Sequence, residues 1–237
     1  CYLLDGTGNL HPAAPHHRVG AYTGLHELRR AVRILERLAR ELAVRLSRPD
    51  ELPVPLIAVI SGWGSWMSAF RSGPLAWAED LVHDLVRDGA GAGITVLTSG
   101  DGELVTARFC GALPNRLYFP AGSTGESRVA WPRMPSTPAV KSRAVAFGPI
   151  AGGEAAVCQL YSTPTGTPWA VPAAPDGPFH QLGPAPFRVE PLPSRIMATE
   201  VHARAATPGF NPVPGILRPG AVAGEVLIGV GGDELSP

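Results

Sequence analysis

The sequence predicts an α/β fold, a mainly parallel sheet with crossover helices, on three observations. Over the first 162 residues short apolar runs alternate with amphipathic helical patterns, the runs are bounded by Gly or Pro, and one helix fits between successive strands. Runs that lack polar alternation fit strands buried on both faces.

From the N-terminus, Tyr2-Leu3-Leu4-Asp5 is a buried strand that ends in the turn Gly6-Thr7-Gly8-Asn9. Thr23 is expected to cap a helix in which Leu25, Leu28, Val32, Leu35, Leu38, Leu42 and Leu46 recur every three or four residues, ending near Pro49. Pro55-Leu56-Ile57-Ala58-Val59-Ile60 is a second buried strand. Pro74 opens a second amphipathic helix through Leu75, Ala78, Leu81, Val82 and Leu85 that stops at Gly89, and a third strand occupies 94–98. Shorter strands are expected over 116–119, 143–147 and 155–161. From about 163 to 219 the chain is dense in proline, which removes backbone donors and fixes φ, so this stretch is a linker or an extended wrap.

Composition narrows the function. With 45% hydrophobic and 17% charged residues the 237-residue chain can bury a core, and 20 basic against 20 acidic residues argue against a uniformly basic nucleic-acid surface. Apolar runs fall far short of the roughly 18 residues that cross a bilayer. Cys1, Cys110 and Cys158 form no CxxC pair, so neither a disulfide framework nor a zinc knuckle is expected. The chain starts on a cysteine that runs straight into a strand, as a piece of a longer protein would.

Of the 20 basic residues only Lys141 is a lysine, and Val140 precedes it, so the phosphate loop GxxxxGK[ST] does not occur. His11, His16 and His17 lie in a proline-flanked loop without carboxylates at ligand spacing, and no serine sits in GxSxG. The first helix carries seven arginines, Arg29, Arg30, Arg33, Arg37, Arg40, Arg45 and Arg48, against Glu27, Glu36 and Glu41. Such a face contacts phosphates, or it is a solvated face laced with helical ion pairs.

Open sheets bind ligands beyond the carboxyl ends of their strands, which marks Asp5, Ser61 and Thr98 together with the turns after them. Ser61 is the informative position. An apolar strand ending at a nucleotide site usually ends in an acid that holds the hydrated magnesium ion, and a hydroxyl supplies no such charge.

Several phrases, in order, resemble the FtsK/SpoIIIE family of P-loop motor ATPases, in particular the multi-domain actinobacterial forms related to type VII secretion ATPases. They are Leu3-Leu4-Asp5-Gly6 with Gly8 and Leu10; Val19-Gly20-Ala21 before the arginine-rich helix; 57–63; Asp88 to Thr98; Asn115-Arg116-Leu117; Ser142-Arg143-Ala144; and Val157-Cys158-Gln159-Leu160. The resemblance implies that residues 1–162 are the later part of a RecA-like P-loop domain, with the phosphate loop and its strand ahead of Cys1. In that family this strand sits in the middle of the sheet. The tail phrases 186–193 and 228–235 resemble the lead-in to a following ATPase domain, which implies a linker over 163–219 and a lead-in over 220–237.

Carried over by position, Ser61 and Gly62 stand where the family has its paired magnesium-binding acids, Thr98 at a polar sensor position, and Arg116 and Arg143 at arginines of later strands. Together with Asp5 these are the candidate nucleotide-site residues, with no catalytic residue and no metal ligand among them. The implied cofactors are ATP and magnesium in the parent protein, not bound by this stretch alone. The implied partners are neighbouring ATPase domains, further copies in a ring, and a DNA or secreted-protein cargo, on the cytoplasmic side of the cell membrane. The associated functions are DNA translocation and cell division or protein secretion, with this domain hydrolytically inactive. A different class also fits the residues: a non-catalytic α/β module that docks protein partners.

Overall fold

The computed structural model describes residues 1–51, 53–123, 135–161, 185–192 and 197. The expected α/β architecture is present. Four strands, β1 (Tyr2–Asp5), β2 (Ala21–Gly24), β3 (Leu56–Ser61) and β4 (Ile94–Thr98), form one sheet in the order β2-β1-β3-β4. Every pair in it is parallel.

The long helix α1 (Leu28–Leu46) joins β2 to β3, and α2 (Trp63–Arg71) and α3 (Ala78–Asp88) join β3 to β4. Helix α1 buries Ala31, Val32, Ile34, Leu35, Leu38 and Leu42, the apolar stripe that its 3.6-residue period lays on one side. Arg45 fastens its far end. That side chain donates to Glu41 Oε1 at 2.9 Å, to the Ala92 carbonyl at 3.0 Å and to the Val54 carbonyl at 2.9 Å, tying the helix to the segments that enter β4 and β3.

Three sequence expectations are corrected here. Thr23 does not cap α1: it is a fully buried residue of β2, and its hydroxyl donates to the carbonyls of Gly24 and Glu27 at 3.4 Å. The short strand Ala-Tyr-Thr-Gly follows a His- and Pro-rich loop and has no apolar run to announce it. The helix expected from Pro74 begins at Ala78, and a separate helix, α2, fills the stretch after β3. Its Trp63, Trp66 and Phe70 are all buried and lie on one face at helical spacing.

The later strands exist at the expected places but do not extend the parallel sheet. A short helix α4 (Gly102–Thr106) leads towards β5 (Arg116–Tyr118), β6 (Arg143–Phe147) and β7 (Ala156–Gln159), which form an antiparallel sheet of order β5-β6-β7. The larger sheet is unevenly covered. Leu56, Ala58, Ile60 and Ile94 are buried, whereas Ile57 and Leu97 on the opposite face are 41% and 53% exposed. Among the described residues no helix is long and apolar enough to cross a membrane.

Candidate functional site

β1 and β3 pair in register from Tyr2 opposite Ala58 to Asp5 opposite Ser61, so two of the expected site residues end adjacent strands side by side. Asp5 is 3% exposed. Its Oδ1 accepts from the Thr7 hydroxyl at 3.0 Å, the Thr7 amide at 3.2 Å and the Gly8 amide at 2.9 Å. Its Oδ2 accepts from the Leu10 amide at 2.8 Å and the Tyr22 hydroxyl at 3.2 Å. The carboxylate therefore organises the turn that follows its own strand, as an aspartate does when its side chain bonds amides two and more residues on.

Burial pushes the Asp5 carboxyl up, but the hydrogen bonds from Leu10, Thr7 and Tyr22 together outweigh it and hold the group below its ordinary value.

The Ser61 hydroxyl lies 2.9 Å from Thr7 Oγ1. Thr7 spends its single hydroxyl proton on Asp5, so the proton in this contact belongs to Ser61, and a relay runs from Ser61 through Thr7 to Asp5. The Ser61 carbonyl accepts from the Gly6 amide at 2.8 Å and the Trp66 indole N–H at 3.1 Å. Two turns are thereby locked against the end of β3.

Gly62 adopts φ 71°, ψ 56°, a left-handed conformation, and its amide donates to Ser99 Oγ at 3.4 Å. A side chain here would start 2.9 Å from Thr7 Cγ2. Gly62→Glu is expected to destabilise the protein by about 1–3 kcal/mol through backbone strain. Denaturant unfolding measures this, and unchanged stability would contradict the turn geometry.

Thr98 ends β4 opposite Ile60. It is the one expected polar site residue whose side-chain oxygen is buried with no partner among the described residues. The two arginines are elsewhere. Arg116 donates to the carbonyls of Leu113 and Cys110 at 3.1 and 2.7 Å, and Arg143 donates to Gln159 Oε1 at 2.8 Å, both within the antiparallel sheet and the turn leading into it. The structure thus brings Asp5, Ser61 and Gly62 together, with Thr98 one strand further. Thr7 and Ser99 lie in the turns marked after Asp5 and Thr98, whereas sequence reasoning missed Tyr22 and Trp66, which complete the network. The Asp-Gly-Thr-Gly phrase was a signal for Thr7.

These donors do not fit magnesium. The single carboxylate is saturated by five hydrogen bonds, the neighbouring hydroxyl is committed to Thr7, and no group of three His, Cys, Asp or Glu capable of holding a metal occurs among the described residues.

A four-stranded parallel sheet with crossover helices, in which Asp5 and Ser61 end adjacent strands, defines an α/β domain. Its solved structural neighbours are type VII secretion ATPases. EssC (ATPases 2 and 3) from Geobacillus thermodenitrificans superposes with a TM-score of 0.57 at 16% identity, over 84% of this chain and 41% of that one. The cytoplasmic domain of the Thermomonospora curvata type VII secretion ATPase EccC gives 0.54 at 18% identity, over 82% of this chain and 25% of that one. The likeness is one of fold, and the chain spans less than half of either structure. No family model matches the chain, and no curated protein matches it by sequence.

Proposed function

We propose that the chain is the later part of an ATPase domain in a multi-domain FtsK/SpoIIIE-type motor of the type VII secretion branch, and that this copy of the domain does not hydrolyse ATP. The observation that carries the inactive part is the Ser61–Thr7–Asp5 relay. The resemblance assigns Ser61 to the position of the paired acids that would hold magnesium and polarise an attacking water, and the contacts of Ser61 with Thr7 and of Thr7 with Asp5 support a structural use of that position instead. ATP and magnesium then belong to neighbouring domains of the parent, and this copy serves as scaffold or regulator in a ring of subunits on the cytoplasmic side of the membrane.

A secreted protein is the cargo we favour over DNA, because four of the arginines of α1 are used internally. Arg30 and Arg33 bind the carbonyls of Val189 and Glu190, and Arg37 and Arg45 pair with Glu41. Residues 163–219 act as the linker and 220–237 as the lead-in to the next ATPase domain.

Two results test the proposal. The reading frame ahead of Cys1 should encode GxxxxGK[ST], as the motor requires. In the intact parent, Ser61→Ala should leave magnesium-dependent ATP turnover unchanged, because other domains carry the chemistry. A tenfold loss would put Ser61 in a working catalytic site and overturn the assignment. The competing view, a protein-docking module without nucleotide history, gains from an upstream frame with no phosphate loop.

A further inference from the structure

A cleft separate from the Asp5–Thr7–Ser61 relay lies between helices α2, α3 and α4, with a volume of about 150 Å³. One wall is the row Trp63, Met67 and Arg71 of α2, spaced by four residues and so on one side of the helix. Glu79 and His83 of α3, again four apart, form a second wall, and Glu103 of α4 closes the cleft with Arg108 and Phe109. Trp63 is 2% exposed and set edge-to-face against Phe109, with ring centroids 4.8 Å apart. Its indole N–H is buried and has no partner among the described residues, whereas that of Trp66 is used by the Ser61 carbonyl. A buried donor left without an acceptor is costly, so the cleft favours an occupant that accepts from it.

The other charges around the cleft are paired. Arg71 donates through Nε and Nη2 to the two oxygens of Glu79 at 2.6 and 2.8 Å, and Arg108 donates to Asp80. Glu103 differs. Its carboxylate has no partner among the described residues, and it lies against the first turn of α2, where a Cβ on Gly64 would fall 3.1 Å from its Oε2. One turn of α2 therefore brings together a donor without an acceptor, at Trp63, and an acceptor without a donor, at Glu103.

This inventory selects the occupant. A carboxylate would meet Glu79 and Glu103, an ammonium would meet Arg71 and Arg108, and a hydrocarbon would leave the indole N–H and the Glu103 carboxylate unanswered. A primary carboxamide is neutral, accepts through its oxygen and donates through its NH2. We infer that the cleft between α2, α3 and α4 is a binding site for a primary carboxamide, whose oxygen accepts from Trp63 Nε1 and whose NH2 donates to Glu103, with the alkyl stem against Met67 and Phe109. The size suits it, since a cavity of about 150 Å³ accommodates a group as large as benzene. The carboxamide belongs either to a small molecule or to a glutamine or asparagine side chain of a polypeptide, and the experiment separates these sources.

The test is a proton–nitrogen NMR titration of the full chain, read at the Trp63 indole N–H, which is assigned by its loss in Trp63→Phe. Two probes carry the group: propionamide, and the peptide acetyl-Ala-Gln-Ala-N-methylamide. Propionamide should displace the resonance saturably with a Kd on the order of millimolar, within the bound for so small a ligand. Tighter binding of the peptide assigns the site to a polypeptide side chain, and tighter binding of propionamide assigns it to a small molecule. Butanone has the same shape and keeps the oxygen but has no donor, so it should bind at least about fivefold more weakly, the effect of losing a hydrogen bond to a charged group. Glu103 is exposed, so Glu103→Ala leaves the packing of Trp63 in place, and propionamide should bind this variant at least about fivefold more weakly while the rest of the spectrum reports an intact fold. Three results would overturn the inference: no saturation by about 100 mM propionamide, equal affinity for butanone, or unchanged affinity in Glu103→Ala.

Discussion

Trp66→Ala is expected to cost about 3–5 kcal/mol of folding stability, the range for emptying an aromatic site in a packed core. Trp66 is fully buried at the centre of α2, 5.7 Å from Phe70 between ring centroids, and its indole N–H donates to the Ser61 carbonyl at 3.1 Å. Truncation removes the packing and also one of the two donors that hold the end of β3 in place, the other being the Gly6 amide. Trp66→Phe should recover much of the packing but not the hydrogen bond, leaving a deficit nearer 1 kcal/mol. Urea unfolding followed by circular dichroism separates the two. A loss below about 1 kcal/mol for Trp66→Ala would mean that α2 does not pack as described.

Asp5→Ala is expected to cost about 3 kcal/mol, because several turn donors then face a buried void in place of a charged acceptor. The pH dependence has a definite sign. The folded carboxyl lies below its ordinary value, so the stabilisation it brings is complete above about pH 4, the unfolded value, and is lost as pH falls through the lower folded value. The stability difference between the wild type and Asp5→Asn should therefore be flat above that pH and shrink below it. Chemical denaturation between pH 2 and pH 7 measures this, and a difference that widened in acid would contradict the hydrogen-bond network.

Much of the fold was legible in the sequence because burial on both faces makes a strand of a parallel sheet almost uniformly apolar. Tyr2-Leu3-Leu4 stands out for that reason, 56–60 is equally apolar although Ile57 is exposed, and α1 stands out through its leucine stripe. β2 was not legible: its four residues include a polar Thr23 that is buried only because the sheet and α1 close over it. α2 had a readable Trp63, Trp66, Phe70 spacing, but it starts directly after a left-handed glycine and resembles a turn at that point. The antiparallel arrangement of β5 to β7 depends on pairing between segments far apart in sequence, which local pattern does not encode.

The candidate site was half legible. Position marked Asp5, Ser61 and Thr98, and the absence of an acid at Ser61 carried the functional argument. That Asp5 serves its own turn, and that Thr7 bridges it to Ser61, required the register of β1 on β3. The arginines of α1 illustrate the same limit. Their surplus charge fitted phosphates equally well until Arg30 and Arg33 proved to hold the carbonyls of a segment more than 150 residues away.

The most direct measurement is an amide-resolved NMR titration of the full chain with magnesium and ATP, followed at Gly6, Gly8, Leu10, Gly62 and Ser99 around the Asp5–Thr7–Ser61 relay. With the carboxylate and hydroxyl already committed to the protein, these resonances should stay in place up to millimolar magnesium-ATP. A saturable shift of the same amides at micromolar concentration would show a working metal–nucleotide site and contradict the proposal that this domain is inactive.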